Sequence, residues 1–418
     1  MTHIINICSS FMPADIIGGP SYCGFDLLSE IDKVSSSVIL SFDEKINKKS
    51  WDIKYNQKEK IFNSTSHYFF RSGINGYLSF IKSLILTLKN KDKKIFILHG
   101  IYNIPYVIAS VFLKILNCNI YLIPHGTLSR NSIRVSQNFL IKYFSTTYMK
   151  IFHTRSNYVF SNKNEYNSSI ISKYKYKFKN IYFIPNILTI KPLNYYLERL
   201  PKSIKPKDSG KIKYHKKNLE NSFTELAIQN EDSLNLIYFG RISIEKGLDK
   251  FLESLISINR QDKFIDKIHI HLIGNGEEKY IMLIKNILKN TSFKVEYTFY
   301  GWMPRDNALE LIKNIKGIMI FPSITDNFNL SFLESILIGK FAIVSKNIAT
   351  SNDDWVKERV FLLDINDINK SLRDVLKEIL NLNIQNKTPY DKDFKHLDHP
   401  YKPEKIKNKW EKLIKTQT

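Results

Sequence analysis

The chain has 418 residues, which suggests two or three domains, and its 43% hydrophobic and 24% charged residues argue against a disordered protein. An excess of 62 Lys and Arg over 40 Asp and Glu gives a net charge of +22, so we expect an anionic partner such as a phosphorylated substrate, a membrane surface or nucleic acid. Three widely spaced cysteines, Cys8, Cys23 and Cys118, argue against a disulfide framework or a structural zinc site.

No apolar stretch is long enough for a membrane span. The N-terminal apolar run is too short for a signal peptide, and residues 104–116 are interrupted by Lys114 and fall short of the roughly 20 residues that cross a bilayer. We therefore expect a cytoplasmic protein rather than a secreted or integral membrane protein.

The first half of the chain alternates short apolar runs with stretches of helical periodicity. Strand and helix in alternation predict a parallel sheet with helices on both faces. The predicted strands are residues 4–8, 38–41, 95–98, 120–123, 158–160 and 181–184. The predicted helices are residues 21–30, 76–88 and 105–116.

The second half repeats this alternation and predicts a second α/β unit of similar size. Its predicted strands are residues 236–239, 268–273, 295–300, 317–321 and 341–344. Its predicted helices are residues 247–259, 277–289, 305–314 and 330–338. A last amphipathic helix is predicted at 403–415, where Pro403 suits the first helical position.

The stretch between the two halves has a different composition. Residues 172–217 contain 13 Lys or Arg against two acids, together with Pro192, Pro201 and Pro206. The latter part of this stretch is predicted to be a solvated linker or a surface insertion.

Ligands of open α/β sheets bind beyond the carboxyl ends of the strands, so functional residues are expected directly after each strand. Gly18 and Gly19 precede a predicted helix and would admit a phosphate, although an ordinary tight turn explains them as well. His99 and His125 each end a strand and each precede a glycine. Either histidine can bond a substrate hydroxyl or phosphate, or serve as a satisfied structural residue.

Two cations follow the first strand of the second half. Arg241 and Lys246 lie five residues apart on one loop, where a guanidinium fork and a mobile ammonium would clamp two phosphate groups. The helix that begins near Gly247 would add its dipole. The alternative is a solvated surface loop.

The strongest group of residues lies between Phe321 and Ser335, where a strand stops at Pro322 and a polar loop leads into a helix. Asp326 falls in the loop and Glu334, eight residues later, about one turn into the helix. Carboxylates suit vicinal hydroxyls, and amides at a helix start suit an anion. Considered alone, the segment is better explained by a helix that Asp326 caps and in which Glu334 is a paired acid.

Together these segments resemble the retaining glycosyltransferases of the large bacterial family 4, which have the GT-B fold and include enzymes of polysaccharide and O-antigen biosynthesis. The resemblance covers most of the chain. The motifs that carry it are Gly18-Gly19-Pro20, His99-Gly100, Pro124-His125-Gly126-Thr127-Leu128, Ile184-Pro185-Asn186, Gly240-Arg241 with Lys246-Gly247, Ile273-Gly274-Asn275-Gly276, Gly301, Asp326 with Glu334, and Gly339-Lys340-Phe341-Ala342-Ile343-Val344.

The resemblance implies an α/β protein with two Rossmann-like domains that face each other across a cleft and a C-terminal helix that crosses back. The implied divisions are an acceptor domain at 1–190, a basic linker or insertion at 191–233, a nucleotide-sugar-binding domain at 234–395 and the crossover helix at 396–418.

The resemblance also implies roles at matching positions. Arg241 and Lys246 would hold the donor diphosphate and Glu334 the ribose hydroxyls, while Asp326 would face the donor sugar and His125 would line the cleft. Asp326 and His125 are the predicted catalytic residues. The other predicted donor-binding residues are Gly18, Gly19, Asn327, Phe328, Asn329 and Leu330.

The implied reaction is transfer of a sugar, with retention, from a nucleoside-diphosphate sugar to a glycan or a lipid-linked glycan in surface polysaccharide synthesis. No cofactor and no metal are expected, because cationic side chains and helix dipoles stabilise the leaving diphosphate. Two positions depart from the family pattern: Asp326 stands where Glu is usual, and Asn329 where Gly is usual. If position 329 needs a positive φ, Asn tolerates it best after Gly.

The positive charge suits a lipid-diphosphate acceptor at the inner face of the cytoplasmic membrane. Lys142, Lys150 and Arg155 lie among apolar and aromatic residues of 139–151, a pattern that fits either a membrane interface or an ordinary packed helix. Other hypotheses are a GT-B nucleotide-sugar epimerase and a basic nucleic-acid-binding protein, although the sequence has none of the usual nucleic-acid-binding signatures.

Overall fold

A computed structural model describes most of the chain, in two compact units. The described residues are 3–8, 19–33, 35–43, 51–89, 94–100, 104–129, 156–173, 180–191, 195–196, 198–199, 204–206, 234–262, 267–289, 291, 294–382 and 398–416. The first unit comprises Met1–Thr189, Asn194–Asp208 and Pro400–Thr418, and the second comprises Ile190–Leu193 and Ser209–His399.

Strands and helices alternate through both units. The strands are β1 His3–Cys8, β2 Ser36–Phe42, β3 Trp51–Ile53, β4 Lys58–Lys60, β5 Thr65–Phe70, β6 Lys94–His99, β7 Ile120–Ile123, β8 Asn157–Phe160, β9 Asn180–Phe183, β10 Ile204–Pro206, β11 Leu234–Phe239, β12 Lys267–Ile273, β13 Lys294–Gly301, β14 Ile318–Phe321, β15 Ala342–Ser345 and β16 Val360–Leu363. The helices are α1 Gly19–Ile31, α2 Ile74–Lys89, α3 Ile104–Ile115, α4 Lys163–Ser168, α5 Leu248–Asp262, α6 Glu278–Lys289, α7 Arg305–Asn314, α8 Leu330–Leu337, α9 Ile368–Asn381 and α10 Pro403–Lys415.

The first unit contains a sheet in the order β4-β5-β2-β1-β6-β7-β8-β9. Neighbouring strands are parallel except for the short edge strand β4, which runs antiparallel to β5. Successive residues of a strand point to opposite faces, so Ile5 packs with α2 and α3 while Ile4 packs with α10. The predicted parallel sheet with helices on both faces is therefore confirmed.

The C-terminal helix α10 returns to the first unit. Its bounds, Pro403–Lys415, match the predicted helix, and Pro403 occupies the first turn. Ile406 and Trp410 are fully or almost fully buried against the sheet residues Ile95 and Tyr121. The helix buries its apolar stripe here and leaves its lysines outside, as its 3.6-residue periodicity requires.

The start of the predicted basic linker differs from the expectation. Within 191–233, Tyr196 is fully buried and its hydroxyl donates to Asp26 at 3.1 Å. Further along, Ile204–Pro206 pairs antiparallel with Trp51–Ile53. These residues pack on the first unit because the basic stretch also carries aromatic and β-branched side chains, so they do not form a solvated linker. The remainder, 207–233, lies outside the described residues.

The second unit contains a sheet in the order β13-β12-β11-β14-β15-β16, with all neighbouring strands parallel. This is the 3-2-1-4-5-6 order of a Rossmann sheet. Its main core joins one face of the sheet to α5, α6 and α9. In this order the direction of winding reverses between β11 and β14, which is the point where open α/β sheets bind ligands.

Candidate functional site

The loops that follow β11 and β14 meet at this reversal point. Gly247 has φ +64°, and a Cβ there would lie 2.4 Å from the Pro322 carbonyl oxygen, so only glycine fits. The Ile324 amide donates to the Glu245 carbonyl at 2.9 Å. The two loops are therefore held together by backbone contacts, and side chains from both are fixed at the same edge of the sheet.

Lys246 and Asp326 form the central ion pair of this edge. Lys246 Nζ lies 2.6 Å from Asp326 Oδ2, and the side chains are 20% and 14% exposed. The Asp326 backbone is held in turn, because the Ala349 amide donates to its carbonyl at 3.0 Å. Two residues that are 80 positions apart in the sequence thus form one partly buried, charge-assisted contact.

Arg241 lies on the same loop as Lys246 but faces solvent. Its guanidinium is 3.0 Å from Glu245 and its side chain is 70% exposed. The backbone beneath it is fixed, since the buried Tyr238 hydroxyl donates to the Arg241 carbonyl at 2.5 Å. Burial is the main reason that the pKa of Tyr238 lies well above its usual value, so this hydroxyl remains a donor at neutral pH.

Helix α8 starts beside these cations. Asn329 is its N-cap, and its side-chain oxygen accepts from the Phe332 amide at 3.0 Å. The φ of Asn329 is −79°, so the position needs no left-handed conformation. A side chain at Gly240 would approach Ser331 Oγ within 3.8 Å, which places the loop of Arg241 at the helix start.

Glu334 lies one turn into α8, as predicted, and is 2% exposed. Its carboxylate pairs with Arg305, whose guanidinium nitrogen Nη2 lies 2.7 Å from Oε1. Arg305 is the first residue of α7, and sequence reasoning missed it. The available signal was its position, since it follows the carboxyl end of β13 as Arg241 follows that of β11. The second unit therefore holds Lys246 against Asp326 and places the loop of Arg241 beside the start of α8. One turn into the same helix, Glu334 pairs with Arg305.

His125 and His99 form a pair in the first unit. The rings are stacked, and His99 Nδ1 lies 3.1 Å from His125 Nε2. Burial lowers the pKa of His125 to about 4 and, with the proximity of His125, lowers the pKa of His99 to about 3. Both rings are therefore neutral at physiological pH.

A third residue, Asn6 of β1, fixes which nitrogen of each ring carries the hydrogen. Its side-chain oxygen lies 3.3 Å from His99 Nε2 and can only accept, so His99 Nε2 donates and His99 Nδ1 accepts. His125 Nε2 then donates to His99, which leaves His125 Nδ1 as a hydrogen-bond acceptor. Asn6 was not predicted, because it lies inside a buried strand.

The backbone at His125 is strained, and hydrogen bonds to Glu165 hold the loop that contains it. His125 has φ +48°, a left-handed value that is uncommon outside glycine. The buried carboxylate of Glu165 accepts from the Gly126 amide at 2.6 Å and from the Ser161 amide at 2.7 Å. This anchoring holds the loop in one conformation, which is the usual circumstance of strain at a functional site.

The histidine pair borders a small cavity of the first unit. The cavity, of about 20 Å³, also touches Cys23 of α1, Asn186 and Trp410 of α10. Its size suits about one water molecule.

Some predicted residues are not placed by the structure. Gly18 lies outside the described residues, and Gly19 is described only as the first residue of α1. The basic segment 139–155 also lies outside them. Within the described ranges, no group of three or more His, Cys, Asp or Glu side chains is arranged to hold a metal ion, and no helix has the length and hydropathy needed to cross a bilayer.

The sequence of the second unit matches a known family. Residues 222–393, which contain the whole second sheet, match the family model "Glycosyl transferases group 1". No curated protein matches the chain by sequence.

Solved structures share the fold of the whole chain. Sucrose-phosphate synthase from Thermosynechococcus elongatus is 12% identical with a TM-score of 0.69, and the match covers 100% of this chain and 99% of that one. A trehalose-6-phosphate enzyme from E. coli bound with UDP-2-fluoro glucose is 12% identical at TM-score 0.64, covering 99% and 98%. HepE of Anabaena in complex with UDP-glucose is 13% identical at TM-score 0.63, covering 99% of both chains. The predicted GT-B fold class is confirmed.

Proposed function

We propose that the protein is a glycosyltransferase that moves a sugar from a nucleoside-diphosphate sugar to a glycan acceptor, with retention at the anomeric carbon and without a metal ion. One observation carries the proposal. Two cations, two acids and a helix N-terminus converge at the winding reversal of a Rossmann sheet that matches glycosyl transferases group 1. Two of the similar structures hold UDP-sugars, which makes uridine nucleotides the first donors to test.

The charges of this edge suit a departing diphosphate. When the bond from the anomeric carbon to the diphosphate oxygen breaks, its electron pair stays on the diphosphate, which becomes more negative. Arg241 and Lys246 neutralise this charge, and the first amides of α8 add their dipoles. Asp326 holds the Lys246 ammonium in place and faces the donor sugar.

Glu334 is assigned to the ribose. A carboxylate can accept from both hydroxyls of a vicinal diol, and the ion pair with Arg305 holds this carboxylate in position. Its second role is to pair with the buried guanidinium of Arg305, because an unpaired buried charge lowers the free energy of unfolding.

Retention follows when the acceptor oxygen bonds to the anomeric carbon on the face that the diphosphate leaves. The acceptor proton then passes to an oxygen of the leaving diphosphate. His125 is assigned to the sugar, because its Nδ1 is an acceptor and its neutral ring adds no charge near the departing anion. The acceptor is a glycan or a lipid-diphosphate-linked glycan of surface polysaccharide synthesis, and the enzyme works at the inner face of a bacterial cytoplasmic membrane.

Calorimetric titration of the full chain with UDP and with GDP tests donor binding. Arg241→Ala and Lys246→Ala should each weaken binding of the preferred nucleotide about 10- to 100-fold, the range expected for one charge-assisted hydrogen bond. Lys250→Ala is the matched control, because it removes an exposed lysine four residues further along and should change nothing. Binding that is insensitive to both site variants would contradict the assignment.

Product analysis tests the chemistry. Incubation with the preferred nucleotide sugar and an acceptor should give a glycoside with the donor's anomeric configuration, in buffer with or without a chelator. Release of a rearranged free sugar without acceptor would instead identify an epimerase, and a product of opposite configuration would exclude retention.

A further inference from the structure

The outward face of helix α2 is apolar where a surface helix is normally polar. Ile74 is 79% exposed, Leu78 60%, Leu86 58% and Ile85 39%. The opposite side of the helix buries Phe80 and Leu84 in the core of the first unit. The helix therefore has two apolar faces, and only one of them is covered.

Lysines stand within the exposed apolar face. At 100° per residue, the four apolar residues, Asn75, Lys82 and Lys89 fall within about 120° of the helix circumference. Both lysines are exposed. The α2 surface is defined here by Ile74, Leu78, Lys82, Ile85, Leu86 and Lys89.

A second exposed apolar pair lies at the same edge of the sheet. Ile115, at the end of α3, is 75% exposed and the following Leu116 is 49% exposed. Helix α2 leads into β6 and α3 leads into β7, and these strands are parallel neighbours, so both helices end at the same edge. Both helices also contribute to the same core. The α2 surface and this pair therefore lie on the same side of the sheet of the first unit.

The charge of this region is almost entirely positive. Residues 60–164 contain 14 Lys or Arg and a single acid, Asp92. The described residues from 60 to 129 contain no acid at all. A stretch of this charge is attracted to anionic partners.

We propose that the α2 surface binds an anionic lipid bilayer. The position of the lysines decides between a membrane and a protein partner. Lysine is depleted from the centre of protein interfaces, whereas at a bilayer its methylene stem lies along the acyl region while the ammonium reaches the headgroups. Exposed leucine and isoleucine side chains between such lysines suit the boundary between headgroups and acyl chains.

This inference rests on the proposed function for its purpose, because a membrane-bound enzyme can reach an acceptor that is anchored in lipid. It assigns membrane binding to described residues of α2, and its test is independent of the sugar transfer.

Vesicle flotation of the full chain tests the proposal. The protein should float with vesicles of phosphatidylcholine and phosphatidylglycerol at about 3:1 and bind vesicles of phosphatidylcholine alone much more weakly. Lys82→Gln with Lys89→Gln should lower the partition coefficient about 30-fold, the effect of two lysines near an anionic surface. Leu78→Gln with Leu86→Gln should lower it about tenfold or more.

Matched controls lie on α6 of the second unit. Met282 and Leu283 are 53% and 43% exposed, and Lys279 and Lys289 are exposed on the same helix. Met282→Gln with Leu283→Gln, and Lys279→Gln with Lys289→Gln, make the same chemical changes elsewhere and should leave flotation unchanged. Thermal unfolding by circular dichroism should be the same for all four variants, since the changed side chains are exposed.

Three results would overturn the proposal. The first is a wild-type chain that does not float with the anionic vesicles. The second is flotation that neither α2 variant weakens. The third is a dimer in sedimentation that Leu78→Gln with Leu86→Gln dissociates, since the surface would then join two copies of the chain. Nucleotide titration without vesicles separates these failures from a failure of the proposed function, because α2 variants should bind the nucleotide as the wild type does.

Discussion

The two sheets end in different chemistry at their carboxyl edges. In the second unit the edge carries ion pairs, Lys246 with Asp326 and Arg305 with Glu334, on loops that close contact between backbones holds together. In the first unit the corresponding edge carries two neutral histidines. Charged groups suit a diphosphate whose charge grows during the reaction, and neutral acceptors suit hydroxyls. Under the proposed function, the second unit would therefore contact the diphosphate of the donor and the first unit hydroxyl groups.

The largest expected effect comes from removing the buried ion pair of the second unit. Arg305→Ala leaves the buried Glu334 carboxylate without this partner, and the free energy of unfolding of the second unit should fall by about 3–5 kcal/mol. Urea unfolding measures this fall in the free energy of unfolding. Arg373→Ala is the matched control, because Arg373 pairs with Asp262 at 2.6 Å with both side chains about one-third exposed, and its loss should be below about 1 kcal/mol.

A double variant separates stability from function. Arg305→Met with Glu334→Leu removes both buried charges together and should recover much of the stability lost in Arg305→Ala. It should still bind no nucleotide, because the proposed ribose contact is gone. Recovery of both properties would show that the pair is structural only.

The second effect concerns the first unit and depends on pH. The unfolded histidine pKa is about 6.5, and burial lowers the folded pKa of His99 to about 3 and of His125 to about 4. The unfolded state therefore binds protons first as pH falls. Stability is fully present above about pH 6.5 and is lost as the pH drops toward 4, by about 1.4 kcal/mol per pH unit for each histidine.

Replacing both histidines tests this explanation directly. His99→Gln with His125→Gln should weaken the pH dependence of the first unit between about pH 6.5 and 4, as read by hydrogen exchange of peptides from β6 and β7. Part of it should remain, because burial also lowers the pKa of His67 in the same unit to about 3. Peptides of β14 and β15 in the second unit provide the internal comparison and should keep their wild-type profile. If stability in the first unit falls with pH as steeply in this variant as in the wild type, the two rings take up protons as readily in the folded protein as in the unfolded chain.

Apolar periodicity predicted most of the elements. It also missed helix α9, although the buried Leu372, Val375, Leu376 and Ile379 follow a helical spacing, and it missed two strands that lack a continuous buried run. Strand β5 alternates buried residues with the partly exposed Ser66 and Tyr68, so it gives no continuous apolar run. Strand β16 has only four residues, two of them buried. The winding reversal between β11 and β14 does not appear in any local pattern, because it depends on pairings between distant segments.

The candidate site was predictable where it follows strand ends, and not where it depends on burial. Lys246 and Asp326 each follow a parallel strand, so their contact follows from the topology. Arg305 gave no signal beyond its place after β13, and Asn6 reads as a core strand residue. Partners of this kind are fixed by side-chain packing, which no spacing in the sequence records.

The third effect compares two glycines of the second unit. Gly247 and Gly301 have φ of +64° and +71°, but a Cβ at Gly247 would strike the Pro322 carbonyl whereas a Cβ at Gly301 meets nothing within 4 Å. Alanine at either position should cost about 1–2 kcal/mol through the left-handed backbone. Only Gly247→Ala should also displace the loop of Lys246 and weaken nucleotide binding about tenfold. Equal nucleotide affinities would show that the close loop contact does not position the lysine.

The smallest effect tests whether an anion binds at the start of α8. Asn329 caps this helix, so Asn329→Ala should lower the free energy of unfolding by about 1 kcal/mol, while Asn329→Asp retains an acceptor for the Phe332 amide and should keep the stability. The aspartate also places a negative charge where the donor diphosphate is expected.

Asn329→Asp should therefore weaken nucleotide binding while leaving urea unfolding unchanged, and Asn329→Gly should keep the affinity at the cost of a few tenths of a kcal/mol. This separation distinguishes a helix start that meets a phosphate from one that is merely capped. If the Asn329→Asp variant binds nucleotide as tightly as the wild type, the diphosphate lies away from α8, and Arg241 and Lys246 are left as its only proposed contacts among the described residues.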